Sequence, residues 1–164
     1  MLYRLLYSIL GKAAGISFNI LNWILAGNLP PFVSVRIIVE EQGRYLVIED
    51  SAGHFSLPGG FTRWNEYPAQ TAVRECEEET GLRVKPGDVV SQRVSVSNRF
   101  DRMSMLTITY QATVMSGDLH GSIEGRPCWK SETELRGKMQ LYSMNILEDY
   151  LHYVTHQGHL SASK

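Results

Sequence analysis

Glu75, Glu78 and Glu79 fall at i, i+3 and i+4, so on a 3.6-residue period three carboxylates leave one face of a helix within about one turn. Like charges at that spacing cost a few tenths of a kcal/mol per pair on an exposed helix, and more where water is excluded. A divalent cation among them removes the penalty, and hard oxygen donors of this kind suit Mg2+ or Mn2+. Any fold adopted by this chain must therefore present such a helix with its acids toward a cation or solvent and its other side against a core.

The flanking residues read as a loop, a helix and a stop. Pro58-Gly59-Gly60 breaks the chain after the apolar Phe55-Ser56-Leu57, and Pro68 suits the first turn of a helix, where its missing N–H has no partner. The spacing predicts a helix from Pro68 to Thr80, with Gly81 in the left-handed position past its end and Val73, Cys76 and Thr80 on the side away from the acids. Asn65, just before Glu66, tolerates positive φ better than other non-glycine residues. Tyr67 stands where Ser or Thr would cap the helix, so the start lacks a side-chain cap worth about 1 kcal/mol.

From Gly60 to Leu82 the chain reads Gly, five residues, Glu66, seven residues, Arg74-Glu75, apolar Cys76, any residue, Glu78-Glu79, any residue, Gly81, apolar Leu82. This resembles, without a gap, the signature of the Nudix hydrolases. A chance match of the seven specified residues is on the order of 10^-8 per starting position at ordinary residue usage, which removes a merely solvated acidic helix from consideration. The resemblance implies an α/β/α sandwich with a mixed sheet over about residues 32–157, in the α+β class, and a Mg2+-dependent pyrophosphohydrolase, with Mn2+ as the alternative metal. It implies Glu78, Glu79 and the Gly59 carbonyl as metal ligands, Glu75 as a further ligand or the base that activates water, and Arg74 and Glu66 as their supports. Glu124-Gly125-Arg126-Pro127-Cys128-Trp129 resembles the loop from which some triphosphate-cleaving members supply one more carboxylate, so Glu124 joins the ligand and catalytic set. Glu132 and Glu134 stand in reserve, although Ser131 with Glu134 reads more simply as a capping box.

Arg63, Arg99 and Arg126 are candidate phosphate contacts; Arg63 stands where an acidic residue is common, and with Trp64 beside the metal it would shape an unusual substrate preference. The substrate stays open among nucleoside triphosphates, nucleotide sugars and other nucleoside diphosphates carrying a second group. The proline or tyrosine that marks some ADP-ribose or dinucleoside polyphosphate members sixteen to eighteen residues past the signature is absent, positions 98 to 100 being Asn98, Arg99 and Phe100. A hydrolase of lipid or isoprenoid diphosphates is one alternative. A nucleotide-sensing module without turnover is another, disfavoured by the complete set of acids.

The net charge of −1 gives no global basic character, so the expected partner is a small diphosphate and not nucleic acid; Arg126, Lys130, Arg136 and Lys138 read as a solvated surface. Two cysteines, Cys76 at the apolar position of the signature, point to a reducing, cytoplasmic compartment, and His152 with His156 lack a third zinc ligand. Val33 to Val39 alternates as a strand, Gln42-Gly43 turns into a second strand over Tyr45 to Glu49, and Val89 to Ser97 and Leu106 to Val114 follow. Leu106, Ile108, Tyr110, Ala112 and Val114 share one face of the last of these. Ser143 opens a final helix to about His156 with Gly158 as its stop, leaving 158–164 as a tail.

Residues 1–28 form a separate amphipathic segment. Leu2, Leu5, Leu6, Ile9, Ala13, Ile16, Ile20 and Ile24 keep helical spacing opposite a narrower strip of Arg4, Ser8, Lys12, Gly15, Asn19 and Asn22. No acid precedes Glu40, so residues 1–39 carry a net charge of +3. Peripheral membrane contact, packing on the domain and a homodimer contact all remain open, while Lys12, Asn19 and Asn22 weaken a transmembrane span. Asn28-Leu29-Pro30-Pro31 is a short stiff linker.

Overall fold

The computed structural model describes residues 2–95 and 103–162, with side chains described for 9–95 and 103–156. Along the chain run α1 (Leu2–Ile24), β1 (Phe32–Glu41), β2 (Arg44–Glu49), β3 (Phe55–Ser56), α2 (Pro68–Thr80), β4 (Leu82–Ser95), β5 (Met105–Gly117), β6 (Arg126–Ser131), α3 (Glu132–Leu135) and α4 (Leu141–Ala162). The class is α+β, with one sheet in the order β3-β2-β1-β5-β4 and β6 alongside β2. Gln42 and Gly43, both at positive φ, make the two-residue hairpin turn between β1 and β2, which pairs Glu41 with Arg44.

The chain forms two compact units. The larger holds Ser34–Gln92 and Ile108–Lys164. Strand alternation divides its core into two layers. On one face Val35, Ile37, Val39 and Leu46 meet Ala72 and Cys76 of α2; on the other Ile38, Tyr45 and Val47 meet Ile146, Leu147 and Tyr150 of α4. Burying each such aliphatic side chain contributes about 1.5–3 kcal/mol, so both helices are held by the sheet and not by their own propensity. Of the face expected on β5, Tyr110, Ala112 and Val114 reach the α2 layer, but Thr107 and Thr109 are the most deeply buried residues of that strand.

Burial raises the phenol of Tyr45 to about 12 and that of Tyr150 higher still, the latter also donating to Glu40 at 3.0 Å. Helix α4 runs through Gly158 to Ala162, so the glycine is no stop. One glycine weakens a helix by about 1 kcal/mol, too little to end one whose earlier turns are anchored in the core. Ser143, expected to open this helix, sits inside it with its hydroxyl accepting the Leu57 N–H at 3.3 Å.

The smaller unit holds Met1–Val33 and Arg93–Thr107. Here the ring of Phe18 lies 5.2 Å from that of Phe32, the Phe32 N–H donates to the Ser104 carbonyl at 3.0 Å, and Asn22 accepts the Leu29 N–H at 3.1 Å.

Candidate active site

The turn Pro58-Gly59-Gly60 is sewn to β1 by backbone bonds. The Ile37 N–H donates to the Pro58 carbonyl at 2.9 Å and the Val35 N–H to the Gly60 carbonyl at 2.8 Å. Gly59 has φ +138, and a β-carbon there would stand 2.1 Å from the Val35 carbonyl oxygen, so only glycine lets the turn lie so close to the strand. A β-carbon on Gly60 would fall 2.5 Å from the Glu75 carboxylate, which places that acid directly against the turn.

Helix α2 opens as its sequence requires, with one substitution of means. Tyr67 supplies no side-chain cap, but Gln70 reaches back to accept the Tyr67 N–H at 2.8 Å. That is the reciprocal half of a capping box. Gly81 closes the helix at φ +79, and Asn65 takes φ +65. Cys76 and Thr80 are fully buried, and burial pushes the Cys76 thiol up to about 11. Val73 is not with them. Ala72 takes the core position, while Val73 joins Arg74 and Glu78 in the wall of an outer cleft of about 570 Å3.

The three helical glutamates fan from interior to solvent. Glu79 is only 4% exposed and accepts the Gly59 N–H at 2.8 Å. Its carboxyl lies well above the usual range, first because it is buried and then because the Glu124 carboxyl is hydrogen-bonded beside it, against the opposing pull of the Gly59 N–H and the Arg36 guanidinium. Glu75 pairs with Arg74 at 2.5 Å, and Glu78 is shared between Arg74 at 3.2 Å and Arg63 at 3.0 Å. Arg74 is the hub: it also bonds Glu66 at 2.7 and 2.9 Å and the Phe61 carbonyl at 3.1 Å. Glu66 in turn accepts from the Arg63 N–H and the Thr71 hydroxyl, each at 2.9 Å, and these bonds, Arg74 foremost, hold its carboxyl down to about 2.

Donor chemistry tests whether a cation suits this place. Glu79 and Glu124 bring two hard-oxygen groups together that repel unless a proton or a cation lies between them, and the Gly59 carbonyl lies on the same turn. Among the described residues no three His, Cys, Asp or Glu side chains converge at ligand distance, because Glu75 and Glu78 are turned to arginines. Buried Glu79 with exposed Glu124 beside it fits a hard cation; the outer two helical glutamates reach one only by exchanging partners.

The remaining expected residues lie elsewhere. Arg126 pairs with Glu49 at 3.0 Å on the β2–β6 side, and Arg99 lies outside the described residues. Glu132 pairs with Arg136, while Glu134 caps Ser131 through bonds of 2.9 and 2.7 Å and meets Lys130 at 3.4 Å, so neither reserve acid is free. One residue has no sequence signal. Arg36, on β1, donates from Nη1 to the Gly59 carbonyl, and its buried Nε has no hydrogen-bond partner among the described residues.

The sequence profile of the NUDIX domain matches residues 30–148, most of the chain. The chain belongs to the Nudix hydrolase family. It is 28% identical over 129 residues to an ADP-ribose pyrophosphatase of Methanocaldococcus jannaschii, covering 76% of each chain. It is 29% identical over 125 residues to a MutT-like protein of Streptomyces ambofaciens, covering 73% of this chain and 78% of that one. A Nudix hydrolase structure from Nitrosomonas europaea superposes with a TM-score of 0.67 at 26% identity, over 75% of this chain and 90% of the other. This Nudix protein is accordingly a pyrophosphohydrolase, of a family that typically works with divalent metals on small diphosphate substrates.

Proposed function

We propose that the protein cleaves the diphosphate bond of a nucleoside diphosphate linked to another group, with Mg2+ held by Glu79, Glu124, Glu78 and the Gly59 carbonyl. The observation that carries this reading is the buried Glu79 fixed by the Gly59 amide with Glu124 bonded beside it. A bound divalent cation neutralises diphosphate oxygens and makes water easier to deprotonate. Glu75, packed on Gly60 and held by Arg74, takes the proton from the attacking water or serves as a further ligand. Arg74 and Glu66 keep the fan of carboxylates in register, and Arg36 positions the Gly59 carbonyl. Arg63 bonds Glu78 at 3.0 Å and would be released to a phosphate if Glu78 turned to the cation. Trp64, 94% exposed next to Arg63, together with exposed Phe61 and Tyr67, offers aromatic faces on which a base stacks.

The likeness to an ADP-ribose pyrophosphatase makes ADP-ribose the first substrate to try. Purified protein with Mg2+, and separately Mn2+, is assayed against ADP-ribose, nucleoside triphosphates, nucleotide sugars, dinucleoside polyphosphates and isoprenyl diphosphate, with products resolved by chromatography. Metal-dependent cleavage between two phosphorus atoms of a nucleotide supports the proposal. Turnover confined to isoprenyl diphosphate would transfer the function to a lipid substrate. Trp64→Ala is expected to raise KM several-fold with kcat nearly unchanged, as for loss of uniform binding.

A further inference from the structure

Helix α1 half-buries or buries Gly15, Phe18, Asn19 and Asn22 and leaves its apolar stripe open. Among its described side-chain positions Gly15 and Phe18 are buried, Asn19 donates back to the Gly15 carbonyl at 2.8 Å, and Asn22 is tied to the backbone of Leu29. On the opposite side Ile9, Ile16, Ile20, Trp23 and Ile24 are all exposed, Trp23 at 80%. Isolated exposed apolar residues are ordinary, but a contiguous helical stripe of them marks a surface that something covers.

Three occupants can be weighed from charge and length. No described helix is long and apolar enough to cross a membrane, which removes a span formed by α1. A second copy of the stripe would bring the cations of both helices together with no carboxylate on either, since residues 1–28 hold Arg4 and Lys12 and no acid. An anionic lipid surface complements that charge, accepts the aliphatic side chains below its headgroups, and suits an indole at the boundary. We propose that the open stripe of α1 docks the protein on a phospholipid surface bearing anionic headgroups, with Ile16, Ile20 and Ile24 entering the acyl boundary and Lys12 at headgroup level. The stem of Lys12, exposed beside the stripe, lets its ammonium stay in water while the helix lies flat.

Full-length protein is sedimented with vesicles of phosphatidylcholine alone and of phosphatidylcholine with phosphatidylglycerol. Binding is expected to be about five-fold stronger on the mixed vesicles, from the Lys12 ammonium at the surface, and to weaken in high salt. Ile16→Asp combined with Ile20→Asp should lower partition at least about ten-fold on both, whereas Lys12→Glu should act on the mixed vesicles alone. Hydrolysis of a soluble diphosphate by both variants stays within about two-fold of the parent and reports that the fold is intact. No partition of the parent into either vesicle overturns the proposal. So does a parent dimer in light scattering that the double variant dissociates, which would assign the stripe to a second copy. Equal binding to both vesicles, insensitive to Lys12→Glu, overturns the anionic component.

Discussion

Helix α2 turns Ala72 and Cys76 into the core and its carboxylates toward Arg74, Arg63 and the Gly59 turn, whereas α1 keeps Asn19 and Asn22 on its covered side and leaves Ile16, Ile20 and Trp23 open. Both are amphipathic, and the difference lies in what answers the outward side. On α2 the protein itself supplies the partners: Glu66, Glu75 and Glu78 all bond Arg74, and buried Glu79 accepts the Gly59 N–H. On α1 no described neighbour answers the apolar stripe. A region whose polar groups are saturated internally is built to hold geometry, which hydrolysis needs; one that leaves apolar area in water is built to meet another surface.

If α2 exists to hold charge in place, its buried carboxylate is indispensable. Glu79→Gln keeps shape and removes a charge, so kcat should fall roughly 100-fold or more with the melting temperature little changed. Near-parental turnover would sink the site. Glu124→Gln should raise the Mg2+ concentration needed for half-maximal rate and lower kcat by about ten-fold or more, while Glu132→Gln, which removes only the Arg136 pair, should leave both within about two-fold. The reverse ranking in a Mg2+ titration would move the loop ligand to Glu132.

Arg74 sharpens the claim that α2 is saturated from within. Its side chain is 16% exposed and answers three carboxylates, so Arg74→Met should destabilise the protein by about 2–4 kcal/mol as those acids lose their common partner. Urea unfolding reads this directly. The same pair sets an acid limb. Glu66 titrates near 2 in the fold against an ordinary 4.5, so between those values the unfolded chain binds more protons, and stability present above about 4.5 is lost as the pH falls toward 2. In Arg74→Met that part of the slope should flatten, and an unchanged limb between about pH 5 and pH 3 would show that Glu66 is not held by Arg74.

Local features were legible in the sequence because their causes are local. The i, i+3, i+4 glutamates, Gly81 at positive φ, Asn65 at positive φ and the Ser131–Glu134 cap depend on residues within one turn of each other. Val73 was misassigned because, on a helix covered on one side, Ala72 fits the core as well by period, and packing against Val35 and Ile37 decides. Gly158 failed as a stop because tertiary anchoring outweighs one unfavourable residue. Arg36 carried no signal at all: it meets Gly59 across 23 positions of chain, and only the pairing of the turn with β1 brings them together. Periodicity found the two stripes of α1 but not their sense, since a helical pattern says which side is apolar and not which side is covered.

Phe18 belongs to the covered side of α1, buried with its ring 5.2 Å from Phe32. Phe18→Ala should weaken the anchoring of α1 by about 2 kcal/mol, below the usual range for a full core phenylalanine because the unit is small. Amide exchange across the second half of α1 should then quicken by roughly 30-fold, while exchange in β1, β2 and α2 stays as in the parent. Turnover of a soluble diphosphate should change by less than about two-fold, because the residues of α2 and the Gly59 turn keep their partners among Ser34–Gln92 and Ile108–Lys164. If kcat instead falls in step with the loss of protection in α1, the two helices are coupled, and the division between a saturated hydrolytic region and a separate docking segment fails.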